Sequence, residues 1–270
     1  DIYQQVADRC TAKVNASTDE TAMAWQDMIK KTWGGVMDRK LTKRPVMVLP
    51  YGGTRNSCTQ YIYEALIEAD KDFFKAPFRA ALSMTPFMWD RIGETVRSAR
   101  QAMDWIQEAV VTLAKQNKPA VWIAPSGFPV YQAVMRLNVR QIETQLNGRL
   151  QLRVGRQTNK VNVQRQRSSA APNYVHSLDA SHLVTMVHHA KAKGVNDLAV
   201  IHDDYGTHAC DIPVLQTAIR TAFVEIYQDG QVFTRLRDEL QEQSDTDLKD
   251  LPEFGNLDVT EVLDSPYFFG

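Results

Sequence analysis

The sequence is poor in cysteine: Cys10, Cys58 and Cys210 are its three, widely spaced and with no CxxC. An odd, scattered set excludes a disulfide framework and fits a reducing compartment. No apolar run approaches the ~20 residues that cross a bilayer, and the opening DIYQQVADRC is too charged and amphipathic for a signal peptide. There is no internal repeat and no low-complexity tract. Formal net charge is −1, so total charge names no partner. These exclusions leave a soluble, cytoplasmic protein as the expectation. Its 44% hydrophobic content is enough for the core of one large domain or two subdomains. The chain opens in helical character and without Met, as expected of a processed chain or of part of something larger.

Charge distribution says more than the total. Between Arg136 and Arg167 there are eight basic residues and one acid, Glu143. Between Asp238 and Asp264 there are ten acids and one cation, Lys249. Such asymmetry fits a protein that lays one face on a polyanion, although each run alone is equally what a solvated loop shows.

Periodicity predicts helix over 1–32, broken near Asn15 to Thr18. It predicts helices over 56–117 with breaks near Pro77 and Pro86, the strongest being RIGETVRSARQAMDWIQEAVVTLAKQ. AVWIAP reads as a short buried strand. SLDASHLVTMVHHAKAKG reads as a helix with Ser177 at its N-cap and Gly194 just past its end. LAVIHDDYGTHAC, 198–210, reads as strand–turn–strand, and IPVLQTAIRTAFVEIYQDG as a further helix. The fold class expected is α+β, mostly helical, with a few hairpins.

VRQIETQLNGRLQLRVG, 139–155, alternates on both sides of Asn147-Gly148. A two-residue Asn-Gly turn would mix polar and apolar faces. A three-residue loop, Asn147 to Arg149, pairs 146 with 150, 144 with 152 and 142 with 154, keeping one face apolar. It sets Glu143 opposite Arg153. The other face then shows Gln141, Glu143, Gln145, Gln151 and Arg153, with Arg149 at the loop. A two-stranded ribbon fits the DNA major groove, where these side-chain types pair with base edges.

In DRKLTKRPVMVLPYGG, Arg39 and Lys43 are four apart and share a helix face. Two such cations suit a triphosphate, with the Tyr51 ring beyond them able to stack on a base. Alone, the pair is also what a solvated face shows. It does not stand alone. The pattern Arg-x3-Lys-x7-Tyr-Gly is followed by PNYVHSLDASHL (172–183) and IHDDYGTHA (201–209). These motifs, in this order, closely resemble the carboxy-terminal half of the single-subunit, phage-type RNA polymerases. DIYQQVA, WIAPSGFPV and the terminal SPYFFG have counterparts there too.

The resemblance implies a fingers subdomain, 1–176, including a specificity hairpin at about 138–156, and a carboxy-terminal part of the palm, 177–270, with a catalytic hairpin. It implies that Arg39 and Lys43 contact nucleotide phosphates and that Tyr51 helps distinguish ribose from deoxyribose. His176 would lie near the nascent base pair. Asp203, next to His202 in the HD motif, would bind catalytic magnesium, with a lesser role for Asp204. The hairpin residues Gln141, Glu143, Arg149, Gln151 and Arg153 would contact DNA. The implied activity is DNA-directed RNA synthesis from NTPs on a DNA template, extending a nascent RNA in the cytoplasm of an infected bacterial host.

The chain departs from the family pattern at Pro45 and Pro50, inside what should be one helix, where a kink or an end is expected. GGTRNSCTQ, after Tyr51, is also less glycine- and aromatic-rich than the pattern. Two-metal phosphoryl transfer further requires a second carboxylate, which in the family lies in an earlier palm motif. Asp179 belongs to a different motif, and adjacent Asp204 cannot simply substitute for it. The expectation is half an enzyme, inactive without a second polypeptide carrying the thumb, the amino-terminal palm and that aspartate. Either an expressed fragment or the natural small subunit of a split polymerase fits, and the second is favoured.

Three other readings compete. His182, His188, His189, His202 and His208 raise a zinc hydrolase, but there is no HExxH and no cysteine pair. A related DNA polymerase shares the basic helix, but that group usually carries an aromatic where Met47 stands. A non-catalytic DNA-binding factor has no need of Lys43, Tyr51 and Asp203.

Overall fold

The computed structural model describes residues 1–69, 74–145, 150–228 and 230–268. The chain divides into two compact units, 1–104 and 105–270. Helices dominate, and the strands among the described residues form three separate two-stranded antiparallel hairpins. The fold is α+β and mostly helical, as the sequence predicts.

In the first unit α1 (Ile2–Asn15) is capped by Asp1, whose carboxylate accepts the Tyr3 N–H at 2.9 Å. It buries Val6, Cys10 and Val14, one face at four-residue spacing. α2 (Glu20–Trp33) is capped by Asp19 and stops at Gly34, which takes the left-handed φ of 69°. α3 (Arg39–Val48) and α4 (Arg55–Ala69) follow, and α5 (Pro77–Thr95) touches all four preceding helices. Several polar groups inside this bundle satisfy one another. The Trp25 indole donates to Ser83 Oγ at 3.2 Å, and the Thr59 and Thr85 hydroxyls meet at 2.7 Å. Cys10 and Cys58 lie in the core, where burial pushes both thiols up to about 12. They are packing residues, not nucleophiles.

The second unit begins within α6 (Arg97–Lys115). β1 (Ala120–Ile123) pairs with β2 (Pro129–Gln132), and β3 (Met135–Thr144) with β4 (Leu150–Val161). The long α7 (Val163–Ala192) follows. β5 (Leu198–Ile201) then pairs with β6 (Asp204–Thr207), and α8 (Ile212–Tyr227) and α9 (Gln231–Gln243) complete the regular helices. Met186 and Ala190 of α7 pack with Leu215, Ala218, Ile219 and Ala222 of α8 as an apolar core. Two side chains of α9 stand in for a strand at the free edge of β1. Gln243 accepts the Val121 N–H at 2.9 Å and donates to the Val121 carbonyl at 2.7 Å, while Glu239 accepts the Ile123 N–H at 3.0 Å. An otherwise open edge is thereby closed.

The structure corrects the sequence reading in four places. Ser177 is no N-cap. It lies buried inside α7, which is N-capped by Asn162 and runs through Pro172. α5 likewise runs through Pro86, and the predicted strong helix breaks instead at Val96, where φ is −107° and ψ is 45°. An interior proline removes one donor, a loss of about 3 kcal/mol that tertiary packing can offset. The β3–β4 register sets Thr144 opposite Leu150, Ile142 opposite Leu152 and Arg140 opposite Val154, two residues from the predicted pairing. Glu143 therefore faces Gln151, and Arg153 faces Gln141. The shift is even, so the alternation of faces survives it, and periodicity alone could not choose between the two. Residues 146–149, including the predicted Asn147–Arg149 loop, lie outside the described residues. The acidic stretch after 237 begins as the end of α9, a helix the sequence reading did not name. The compact units part at 104/105, and position 176/177, where the resemblance divides fingers from palm, lies within α7.

Partial burial raises the pKa of Glu239, opposed by the bond from Ile123 N–H. A carboxylate whose folded pKa lies above its unfolded value confers stability below the unfolded pKa and loses it as pH rises through the folded one. Glu239→Gln keeps an oxygen acceptor for Ile123 but removes the charge. The variant should be more stable than the parent at about pH 7, with the gap closing as pH falls to about 4. Chemical denaturation across that range measures it, and a gap that widens toward acid contradicts it.

Candidate active site

The residues singled out by motif fall in both compact units, and each set has its own geometry. In the first unit, α3 is capped by Asp38, which accepts the Lys40 N–H at 2.9 Å. Arg39, its first residue, pairs with the Asp1 carboxylate and sits 5.0 Å over the Tyr3 ring. Lys43, one turn on, is exposed and lines a cavity of ≈ 480 Å³ with Trp33, Lys40, Arg44 and Tyr61. Arg39 borders a smaller hollow of ≈ 290 Å³ with Gln4 and Val36. The two cations share a helix face in sequence but line different cavities. Lys40 and Arg44 were not picked out from sequence, although their spacing from Lys43 and each other held the signal.

α3 passes through buried Pro45 and ends at Val48, before Pro50. Pro50 has no N–H to continue the ladder. The chain instead turns back on one carbonyl. Tyr51 N–H and Gly53 N–H both donate to the Val48 oxygen, at 3.1 and 2.9 Å, and Gly52 takes φ 78°. A β-carbon at Gly53 would fall 2.8 Å from that oxygen, so only glycine closes the turn unstrained. Tyr51 is displayed from this turn, 43% exposed, and not from the helix itself.

In the second unit the β5–β6 hairpin has a two-residue loop, since Ile201 pairs with Asp204. His202 takes φ 55° there, a left-handed conformation that costs a non-glycine residue about 1 kcal/mol. His202, Asp203 and Asp204 are all exposed at this tip. On α7, His176 and Asp179 are exposed and one turn apart, whereas Ser177, Ser181 and His182 face inward. Tyr205 reports which of these groups converge. Burial raises its phenol pKa most, and the Asp179 and then the Asp203 carboxylates raise it further. Asp179 and Asp203 therefore both act on the same tyrosine electrostatically. Asp179 had been set aside from sequence, and Tyr205 and the inward role of His182 were not read at all. The signal was the tyrosine two residues after Asp203.

Among the described residues no three His, Cys, Asp or Glu converge as metal ligands. The histidines instead serve separate partners. His182 Nε2 lies 2.9 Å from the Ile219 carbonyl, His189 pairs with Glu225 at 2.6 Å, and His208 lies 3.7 Å from Asp197. Asp203 and Asp179 are hard oxygen donors of the kind magnesium takes in ones and twos, with water and substrate phosphate filling its remaining positions. Among the described residues they do not complete a donor set for the ion.

On the β3–β4 hairpin, Gln141, Glu143, Gln151 and Arg153 share one face. Gln141 donates to Gln151 at 2.7 Å, and Gln151 donates to Glu143 at 3.0 Å, so three of them form one hydrogen-bonded row. Arg149 lies outside the described residues. The opposite face carries Ile142, Leu152 and Val154, each more than 40% exposed. This ribbon presents both faces.

A family model described as DNA-dependent RNA polymerase matches residues 1–250. The mitochondrial DNA-directed RNA polymerase 1B of Nicotiana tabacum is 34% identical over 281 residues, covering 100% of this chain and 27% of its own. DNA-directed RNA polymerase 2A of the same plant is 33% identical over 277 residues, covering 100% of this chain and 80% of its own. The DNA-directed RNA polymerase of Enterobacteria phage K11 is 30% identical over 295 residues, covering 99% of this chain and 32% of its own. This chain thus spans less than a third of the mitochondrial and phage relatives.

The Val48 turn makes a local test. Gly53→Ala forces a β-carbon against backbone that cannot move aside cheaply, and should cost about 1–3 kcal/mol. Chemical denaturation of the two chains measures the loss, and equal stability would show that the turn is looser than its hydrogen bonds imply.

Proposed function

Because the chain belongs to the phage-type family of DNA-dependent RNA polymerases, we propose that it supplies the nucleotide-binding helix and one metal-binding aspartate for template-directed RNA synthesis. The observation that carries this reading is the family match across 1–250, which contains the basic helix, the α7 motif and the Asp203 hairpin in one order. In this reading 1–176 serves as fingers and 177–270 as the carboxy-terminal part of the palm.

Lys43, at the rim of a cavity with Lys40 and Arg44, attracts and orients the triphosphate by charge. Arg39 joins it on exchanging its Asp1 partner for phosphate. Tyr51, held out by the Gly52-Gly53 turn, meets the sugar. His176 lies on the exposed side of α7 toward the nascent pair. Asp203 would hold magnesium, which when bound neutralises charge on the phosphates and polarises them. The Gln141, Glu143, Gln151 and Arg153 face reads base edges of the DNA. The second metal aspartate lies outside these 270 residues, on a second polypeptide with the thumb and amino-terminal palm. The same roles hold if that sequence is covalently continuous with this one. The phage K11 relative supports an infected bacterium as the setting, while several plant relatives are named mitochondrial or chloroplastic.

Primed-template extension with NTPs and magnesium tests the reading, using this chain alone and with a polypeptide spanning the rest of the palm. Extension should require both. In the complete system Asp203→Ala should lower the rate by at least about a thousand-fold with circular dichroism unchanged, and Asp204→Ala should be milder. An Asp203→Ala variant as active as its parent overturns the assignment.

Sugar choice gives an independent check. Tyr51→Phe should bring the NTP/dNTP rate ratio down by about ten-fold or more with little loss of NTP rate, on the scale of one hydrogen bond used for discrimination. An unchanged ratio means that the turn after Pro50 keeps Tyr51 from the ribose.

A further inference from the structure

The tip that carries Asp203 has little of its own to hold it still. Each strand of its hairpin is four residues long, and an isolated two-stranded hairpin is marginal in water. Ile201 is 68% exposed, and His202 adds a left-handed residue. Something beyond the ladder has to fix the tip. Tyr205, two residues from Asp203, packs with Leu198 against the α7–α8 core.

Beneath Tyr205 lies His182, 7% exposed. Its Nε2 is 2.9 Å from the Ile219 carbonyl oxygen. A carbonyl can only accept, so Nε2 carries the proton, and in that tautomer Nδ1 is the acceptor. The Tyr205 hydroxyl lies 3.4 Å from Nδ1, a long hydrogen bond with the phenol as donor. The imidazole is also wedged edge-on against Tyr205 and Phe223, with centroids 6.1 Å away in both cases. A ring tethered at both nitrogens and packed by aromatics cannot swing. It links the α8 backbone, through α7, to β6, the strand that follows Asp203.

We propose that Tyr205 and His182 are positioning residues, the Tyr205 hydroxyl donated to His182 Nδ1 setting where the hairpin tip places the Asp203 carboxylate. The proposal rests on the reading of Asp203 as a metal ligand given above. It separates the hydroxyl from the ring: the ring contributes burial, which phenylalanine would match, and the hydroxyl contributes the fixed position. Neither residue touches the nucleotide. Their loss should therefore lower turnover and leave substrate affinity alone.

The test uses Tyr205→Phe, His182→Gln and the double variant. Glutamine keeps a donor for Ile219 but offers no acceptor at the Nδ1 position. In the complete polymerase Tyr205→Phe should lower kcat about five- to ten-fold, the scale of one hydrogen bond, with KM for NTP within about two-fold. Adding His182→Gln to Tyr205→Phe should cost little more, because both remove the same bond. Two readouts need no catalysis. In the 270-residue chain, amide exchange over 198–207 should speed several-fold in Tyr205→Phe while α7 is unchanged, and the ¹⁵N resonance of His182 Nδ1 should move. If Tyr205→Phe matches the parent in kcat, exchange and Nδ1 shift while Asp203→Ala is inactive, the positioning proposal is wrong and the role of Asp203 stands. Full activity of Asp203→Ala instead removes the reading beneath the proposal, and the proposal with it.

Discussion

The inward side of α7 is the constraint on which the second unit depends. Along most helices that side is apolar. Here it carries a stripe of hydrogen-bonding side chains, and each reaches a different element. Gln166 accepts the Val134 N–H at 3.0 Å and donates to the Gln132 carbonyl, joining β2 to β3. The Tyr174 hydroxyl donates to the Val232 carbonyl of α9 at 2.9 Å. Ser177 receives the Trp122 indole of β1 at 3.1 Å, and Ser181 receives the Ser126 N–H in the turn after it at 3.2 Å. His182 reaches α8 and β6. Buried polar groups without partners cost about 1–3 kcal/mol each, so these bonds fix where every neighbour sits.

That stripe explains why the helix runs through Pro172. Ending it there would take Tyr174, Ser177, Ser181 and His182 off the helix and leave their partners in β1, its turn, α8 and α9 without these bonds. It also explains why both candidate sets on this unit have rigid footings. The β3–β4 ribbon rises from the Gln132–Val134 link, and the Asp203 hairpin docks on His182. In each case the exposed working face is carried by a short or bare element, and the position is set below it by one buried contact.

The first unit solves a different problem by similar means. Tyr51 has to project from the end of a helix that cannot continue past Pro50. The Val48 carbonyl, taken up by the N–H groups of Tyr51 and Gly53, turns the chain sharply enough to display the ring beside the helix end. Lys43, by contrast, needs no special backbone, because it is already exposed on α3 over its cavity.

Much was legible in the sequence, because it is carried by residue type and local order. The mostly helical α+β class, the Asn15–Thr18 break, the β5–β6 hairpin and α8 follow from periodicity and turn residues. The ordered motifs around Lys43, His176 and Asp203 carried the family resemblance that the 1–250 match bears out. Tertiary structure alone decided the rest. Whether a proline ends a helix depends on what packs against it, so Pro86 was misread while Pro50 was not, and the helix expected to start at Ser177 runs from Val163 through Pro172. Two hairpin registers that keep the same alternation differ only in side-chain contacts along the ribbon and at its base, which no local pattern encodes. Arg39 and Lys43 share a face by spacing, yet Asp1 and Tyr3, far off in sequence, draw Arg39 to another cavity. Tyr205, His182 and Asp179 gain their meaning from convergence in space, and spacing on two separate elements cannot announce it.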